Sequence, residues 1–386
     1  MRIVNWQISI SSHQFYLWKA VQELIDEEFV LVFDKLNDCS EYKNISADQL
    51  KTLGAVIHLK GSKIRAGYSL INRYPDAVHV FSGFRNAWYF FPLILHAIAR
   101  NCKVAIMNEP YSTSPAGYMR EEPDWWSHLK VFIRPFLYRS MARLISISVK
   151  EVQPCILPLS LLAREQLRRA GFNEEIMFPF GYFVPKSPAS IIKQDRQHQK
   201  RCLVFVGSLL KRKGLDVAIQ AVESLHRSGY SVTLDIYGPG QPEHFISAET
   251  DCVRYRGIIP PSNVQATISK YDMLILPSRH DGWGVVVNEA LLQGIPVVVS
   301  DRVGAKCLVE NSGAGIVFVS EDSADLAHKL EELILEPSRL DGMHHRASDV
   351  GQAISPEAGA QYLMDVFQYH FYHHGQRPVA LWSSMK

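Results

Sequence analysis

Two carboxylates, Asp281 and Glu289, stand eight positions apart in the segment Pro277-Ser-Arg-His-Asp-Gly-Trp-Gly-Val-Val-Val-Asn-Glu-Ala-Leu-Leu-Gln-Gly-Ile-Pro-Val-Val-Val-Ser-Asp301. An apolar run, Met273–Leu276, leads into a Gly-x-Gly turn, and a short helix follows. Gly282 and Gly284 let the backbone approach a bound group closely, and the helix start adds unpaired N–H donors at the positive end of its dipole. That combination suits a phosphate. A loop carboxylate beside it could hold sugar hydroxyls, and one two turns down the helix could reach a ribose. Gly-x-Gly turns are common, so on spacing alone a surface acid and a helix acid fit equally well.

A second candidate is Phe205-Val-Gly-Ser-Leu-Leu-Lys-Arg-Lys-Gly-Leu-Asp216. Lys211, Arg212 and Lys213 sit at a helix start, where cations oppose the dipole, and a bound anion would give them a reason to be there. The plain alternative is a solvated basic turn.

The elements that must position these loops form a regular alternation. In the first half the expected strands are Arg2–Ile8, Phe29–Phe33, Ala55–Leu59, Val78–Phe81, Lys103–Met107, Leu144–Ile147 and Ile176–Phe178, with helices between them. Pro185–Arg201 is polar and reads as a linker. After it, Leu203–Val206, Val232–Tyr237, Met273–Leu276, Pro296–Ser300 and Gly315–Val319 repeat the pattern. Continuous apolar strands in βαβα order predict parallel sheets covered on both faces. The expected organisation is an N-terminal α/β domain over 1–184, a linker over 185–200 and a second α/β domain over 201–355. A C-terminal helix over 356–386 would complete the first. Two doubly wound Rossmann-like sheets would then face a central cleft at the carboxyl ends of their strands.

Composition narrows the function. The chain has 386 residues, enough for two domains, with 47% hydrophobic and 21% charged residues. A formal net charge of +2 gives no support to nucleic-acid binding. The six cysteines include no C-x-x-C pair, which argues against a structural zinc and fits a reducing compartment. No stretch reaches the ~18 apolar residues of a membrane span, and the N-terminus lacks the pattern of a leader. A cytoplasmic location is expected.

The Pro277–Asp301 segment resembles the E-x7-E signature of retaining glycosyltransferase family 4. The matching residues are Pro277-Ser278, Asp281-Gly282-Trp283-Gly284, Glu289-Ala290 and Gly294-Ile295-Pro296-Val297. The resemblance implies the GT-B fold and a nucleoside-diphosphate sugar donor. It also implies that Asp281 contacts the donor sugar, that the Gly282-Trp283-Gly284 turn donates amides to the diphosphate, and that Glu289 binds the ribose. Asp281 replaces the family's usual glutamate and is one methylene shorter. The Phe205–Asp216 segment is similar to the family's Gly-Arg-Leu…Lys-Gly loop, which assigns Lys213, Gly207 and Gly214 to the diphosphate. Ser208 stands at the usual arginine, and Arg212 or Lys211 is a candidate for the missing charge. Gly257 and Ile258 fall where family members wall the nucleotide base.

The resemblance is looser over 1–185. Acceptor-side candidates are His13 and Gln14 in the polar loop Ser11–Gln14, and Glu109 in Asn108-Glu109-Pro110. His79 stands at the first of the family's paired histidines and Phe81 at the second; within an apolar strand His79 reads as a core histidine. Residues 128–143 carry Lys130, Arg134, Arg139 and Arg143 without an acid, interleaved with Phe132, Ile133, Phe136, Leu137 and Met141. That mixture suits a helix on an anionic membrane surface, or an amphipathic core helix with a solvated basic face.

The expected activity is retaining, metal-independent transfer of a hexose-type sugar to a glycan or lipid-linked acceptor, in surface polysaccharide or glycolipid synthesis. No cofactor is expected, and peripheral contact with the inner face of the plasma membrane stays open beside the solvated-face reading of residues 128–143. A non-hydrolysing nucleotide-sugar epimerase and a non-catalytic donor-binding scaffold remain open. A dinucleotide oxidoreductase is disfavoured, since Ser-Ser-His-Gln follows the first strand instead of a glycine fingerprint.

Overall fold

The computed structural model describes residues 1–8, 10–33, 45, 47–118, 124–187, 201–246 and 251–384. Cys39 and most of the expected linker, 188–200, lie outside the described residues.

The chain packs as two units. One comprises Met1–Tyr111, Ile133–Pro185 and Pro356–Leu381; the other comprises Ser112–Phe132, Lys186–Ser355 and Trp382–Lys386. Residues 112–132 thus pack with the second unit although they precede the boundary at 184. Helix Pro356–Tyr372 packs with the first unit, against helix Ser12–Glu23.

The first sheet contains β1 Ile3–Gln7, β2 Phe29–Phe33, β3 Ala55–His58, β4 Val78–Phe81, β5 Lys103–Asn108 and β6 Cys155–Pro158. Its order is β3-β2-β1-β4-β5-β6 and every pairing is parallel. The second sheet contains β7 Arg201–Val206, β8 Val232–Tyr237, β9 Val253–Tyr255, β10 Met273–Leu276, β11 Val297–Ser300 and β12 Gly315–Phe318. Its order, β12-β11-β10-β7-β8-β9, is the same winding read from the other edge. Both are doubly wound α/β sheets. Central strands such as Phe29-Val-Leu-Val-Phe33 and Met273-Leu-Ile-Leu276 are buried at every position, because helices cover both faces. The edge strand β3 is half-exposed along its length.

Two expected strands require correction, and two observed strands were not expected. Leu144–Ile147 is the end of helix Trp125–Ser148, not a strand. A short apolar run such as Leu-Ile-Ser-Ile suits a strand or a helix equally, and here Ile145 is buried while Leu144 and Ile147 are exposed, as helical geometry requires. The sixth strand is instead Cys155–Pro158. Ile176–Phe178 forms only an isolated bridge, Ile156 to Met177, after a short 3-10 turn. The three-residue strand β9 escapes a periodicity reading because it is too short to show a period.

Candidate functional site

In the second sheet the winding reverses between β7 and β10, which lie side by side although two strands separate them in sequence. The loops leaving their carboxyl ends therefore emerge together, at the place where ligands of such sheets bind. The two segments singled out by sequence are these two loops. Gly214 brings them into backbone contact: its φ is +68°, and a Cβ there would lie 1.9 Å from the Pro277 carbonyl oxygen. The Arg279 amide donates to the Arg212 carbonyl at 2.8 Å.

Lys213 Nζ donates to Asp281 Oδ2 at 2.5 Å, and each side chain is only 14% exposed. Burial pushes the Asp281 carboxyl upward, but the Lys213 charge and hydrogen bond, with Arg212 beyond, outweigh it. The net result lies below the ordinary value of 3.8.

Arg279, which falls on a variable position of the motif, organises the cationic turn. Its guanidinium makes a bidentate pair with Asp216, Nη1 to Oδ1 at 2.8 Å and Nη2 to Oδ2 at 2.7 Å. Nη1 also donates to the Lys211 carbonyl at 2.6 Å, and Nε to Glu321 Oε1 at 3.0 Å. The hydrogen bonds and charge of Asp216 hold the guanidinium above its ordinary pKa. Neither Arg279 nor Asp216 is legible as a pair in sequence, since only the sheet order brings them together.

The glycine turn is fixed from below. Asp281 N donates to the Arg302 carbonyl, Gly304 N to the Asp281 carbonyl and Ala305 N to the Trp283 carbonyl. Gly284, at φ +93°, caps helix Val285–Leu292; its carbonyl accepts from Val287 N at 2.9 Å, and the amides of Val285 and Val286 precede any acceptor within the helix. The Trp283 indole is buried: Nε1 donates to Asn288 Oδ1 at 2.7 Å and the ring packs on Trp382 at 5.6 Å between centroids. Its side chain thus supports the turn from inside, leaving the backbone to face a ligand. Glu289 is partly buried in the same helix with no hydrogen bond or ion pair among the described residues. Burial alone pushes its carboxyl up to about 8.

Gly207 and the turn after β8 also touch. A Cβ on Gly238 would meet the Gly207 carbonyl oxygen at 1.9 Å. Ser208 contributes its carbonyl to Leu210 N at 2.9 Å. Gly238 N donates to the Gly257 carbonyl at 2.9 Å, and the Ile258 side chain next to it is exposed.

The acceptor-side candidates lie in the first unit. Gln14 is largely committed to its own helix: Oε1 accepts from Ser11 N at 3.1 Å in a capping box, and Nε2 donates to Gln7 Oε1 at 3.3 Å. The His13 ring lies 4.4 Å from that of Tyr182, whose hydroxyl donates to Glu109 Oε1 at 2.5 Å. Tyr182, which sequence left without a role, thus joins His13 and Glu109. His79 is fully buried: Nδ1 accepts from Trp6 Nε1 at 3.2 Å and Nε2 donates to the Tyr74 carbonyl at 2.9 Å. Desolvation lowers its pKa to about 4, so it is a neutral core histidine.

Residues 200–336 match the model of the family described as glycosyl transferases group 1. The D-inositol 3-phosphate glycosyltransferase of Corynebacterium kroppenstedtii is 25% identical over 179 residues, covering 43% of this chain and 40% of the relative. The amylovoran biosynthesis glycosyltransferase AmsK of Erwinia amylovora is 27% identical over 184 residues, covering 45% of each. The chain thus spans less than half the length of these relatives. Among solved structures, Anabaena Alr3699/HepE in complex with UDP and glucose superposes with a TM-score of 0.65 at 14% identity, over 95% of this chain and 99% of that one. At that identity the likeness shows the fold, which is the GT-B type.

Proposed function

With residues 200–336 belonging to the group 1 glycosyl transferases, we propose that this chain is a retaining glycosyltransferase moving a hexose-type sugar from a nucleoside-diphosphate donor. The observation that carries the reading is the convergence of Lys213, Asp281 and the Gly284-capped helix on one switch point, with Glu289, which has no ion pair among the described residues, in the same helix. Lys213, aided by Arg212, and the amides of the Gly282–Gly284 turn take the diphosphate. Asp281 orients the sugar, Glu289 receives ribose hydroxyls, and Gly257 and Ile258 flank the base. Ser208 and Gly207 line the diphosphate side.

In the proposed reaction the sugar C1–O bond breaks with its electron pair passing to the diphosphate, leaving oxocarbenium character on the sugar. A preorganised donor aimed at that developing charge is worth ~3 kcal/mol. The acceptor oxygen forms the new bond on the same face, and its proton passes to the leaving phosphate oxygen. Protein cations and amides supply the stabilisation, so no divalent ion is invoked. His13 and Glu109, linked through Tyr182, are the proposed acceptor contacts, with Gln14 holding the loop. The acceptor is a glycan or lipid-linked sugar. Amylovoran biosynthesis in the name of one relative supports a place in surface polysaccharide or glycolipid synthesis.

A panel of UDP-, GDP- and ADP-hexoses tests the reading by nucleotide release from purified protein. Release with one donor, lost in Glu289→Ala and Lys213→Ala, is expected. Isomerised sugar without transfer, or binding of no donor, would overturn it.

A further inference from the structure

Helix Trp125–Ser148 has its apolar stripe on the wrong side for a core helix. Ser127, Tyr138, Ala142 and Ile145 are its buried contacts. At 100° per residue, the opposite side carries Trp125, Phe132, Ile133, Phe136, Leu144 and Ile147. Phe132 is 68% exposed, Phe136 53% and Ile147 71%. From Trp125 to Ile147 the stripe runs about 33 Å. Isolated exposed apolar residues are ordinary, but a grouping of this size, interrupted on its own side only by Ser140 and Arg143 between Phe136 and Leu144, marks an interaction surface. Trp125 and Trp126 stack at its start, with ring centroids 3.8 Å apart.

We propose that this stripe docks on a bilayer surface bearing anionic headgroups. Charge selects this occupant. Lys130, Arg139 and Arg143 are exposed beside the stripe, Arg134 is half-buried, and the helix contains no acid. A second copy docking by two-fold symmetry would set these cations against their own equivalents, with no carboxylate on the helix to answer them. An anionic lipid surface answers all of them, while the aromatic residues enter the interface. No described helix is long and apolar enough to cross a membrane, so the contact is peripheral.

Co-sedimentation with phosphatidylcholine vesicles, with and without phosphatidylglycerol, tests the proposal without reference to catalysis. The full chain is expected to pellet only with the anionic vesicles. Each basic residue near such a surface contributes about fivefold, so Arg139→Glu/Arg143→Glu should weaken partitioning at least ~25-fold. Phe132→Ser/Phe136→Ser, both exposed and so compatible with folding, should weaken it at least ~10-fold. Unchanged circular dichroism and Tm in both variants establish that the fold is intact. A wild-type chain that stays in the supernatant, or binding that either folded double variant leaves intact, would overturn the proposal. So would a dimer on size-exclusion chromatography that Phe132→Ser/Phe136→Ser dissociates.

Discussion

Lys213 and Asp281 form a largely buried ion pair between residues 68 positions apart, each at the end of one of the two strands that flank the reversal of the second sheet. The lysine thus has two tasks: it neutralises Asp281, and it is the proposed diphosphate ligand. Removing it strands a buried carboxylate, which costs about 3–5 kcal/mol when the partner stays in place. Lys213→Ala should therefore lower both denaturant stability and kcat/KM, the latter by about 100-fold or more. Lys213→Ala/Asp281→Ala should recover stability but not turnover, as a double-mutant cycle would reveal.

Acid titration gives an independent check on Asp281. Its folded pKa lies below the ordinary 3.8, so the stabilisation is present above 3.8 and disappears as pH falls through the folded value. The stability difference between wild type and Asp281→Asn should accordingly shrink below pH 3.8.

Glu289 has the opposite sign. Its folded pKa of about 8 stands above the ordinary 4.5, so the folded state holds a proton that the unfolded chain releases. Wild-type stability should lose ground to Glu289→Gln as pH rises from 4.5 to about 8, then hold a constant gap. Ribose hydroxyls donate to a carboxylate, so donor binding near neutrality should expel the proton. Calorimetry in buffers of different ionisation enthalpy would detect that release, and Glu289→Gln should abolish it.

Arg279 is a positioning residue for the cationic turn. A lysine cannot make the bidentate pair with Asp216 while reaching the Lys211 carbonyl and Glu321. Arg279→Lys should cost about 1–3 kcal/mol of stability. It should raise donor KM more than it lowers kcat, because the loop loosens while Lys213 remains. A fall in kcat with KM unchanged would contradict this role.

His79 should matter to stability alone. Its folded pKa of about 4 lies below the ordinary 6.5, so its contribution is lost as pH falls from 6.5 towards 4. In His79→Phe that step should vanish from the pH–stability curve while kcat stays near wild type.

The candidate loops were legible in sequence because they combine glycines, a lysine and two acids at informative spacings. Gly214 and Gly284 occupy left-handed backbone, and at Gly214 a side chain would collide with the neighbouring loop, so their identity carries structural information on its own. Arg279 and Tyr182 were not legible. Their roles come from contacts spanning 63 and 73 positions, and no local pattern encodes a contact made by sheet order. The Leu144–Ile147 misreading has a different cause: buried Ile145 and the outward Leu144 and Ile147 together make a short apolar run, too short to show a helical period.

Trp382 packs its ring against Trp283, and its carbonyl accepts from Asn311 Nδ2 at 3.2 Å. The support beneath the glycine turn therefore leaves the ribosome 99 residues after the turn itself, a delay of about 5–20 s at ordinary elongation rates. During synthesis the remaining elements of the second unit can assemble around an indole that still lacks its cover. A nascent chain stalled before Trp382 would carry the full signature of a donor site without the buttress that holds it in shape.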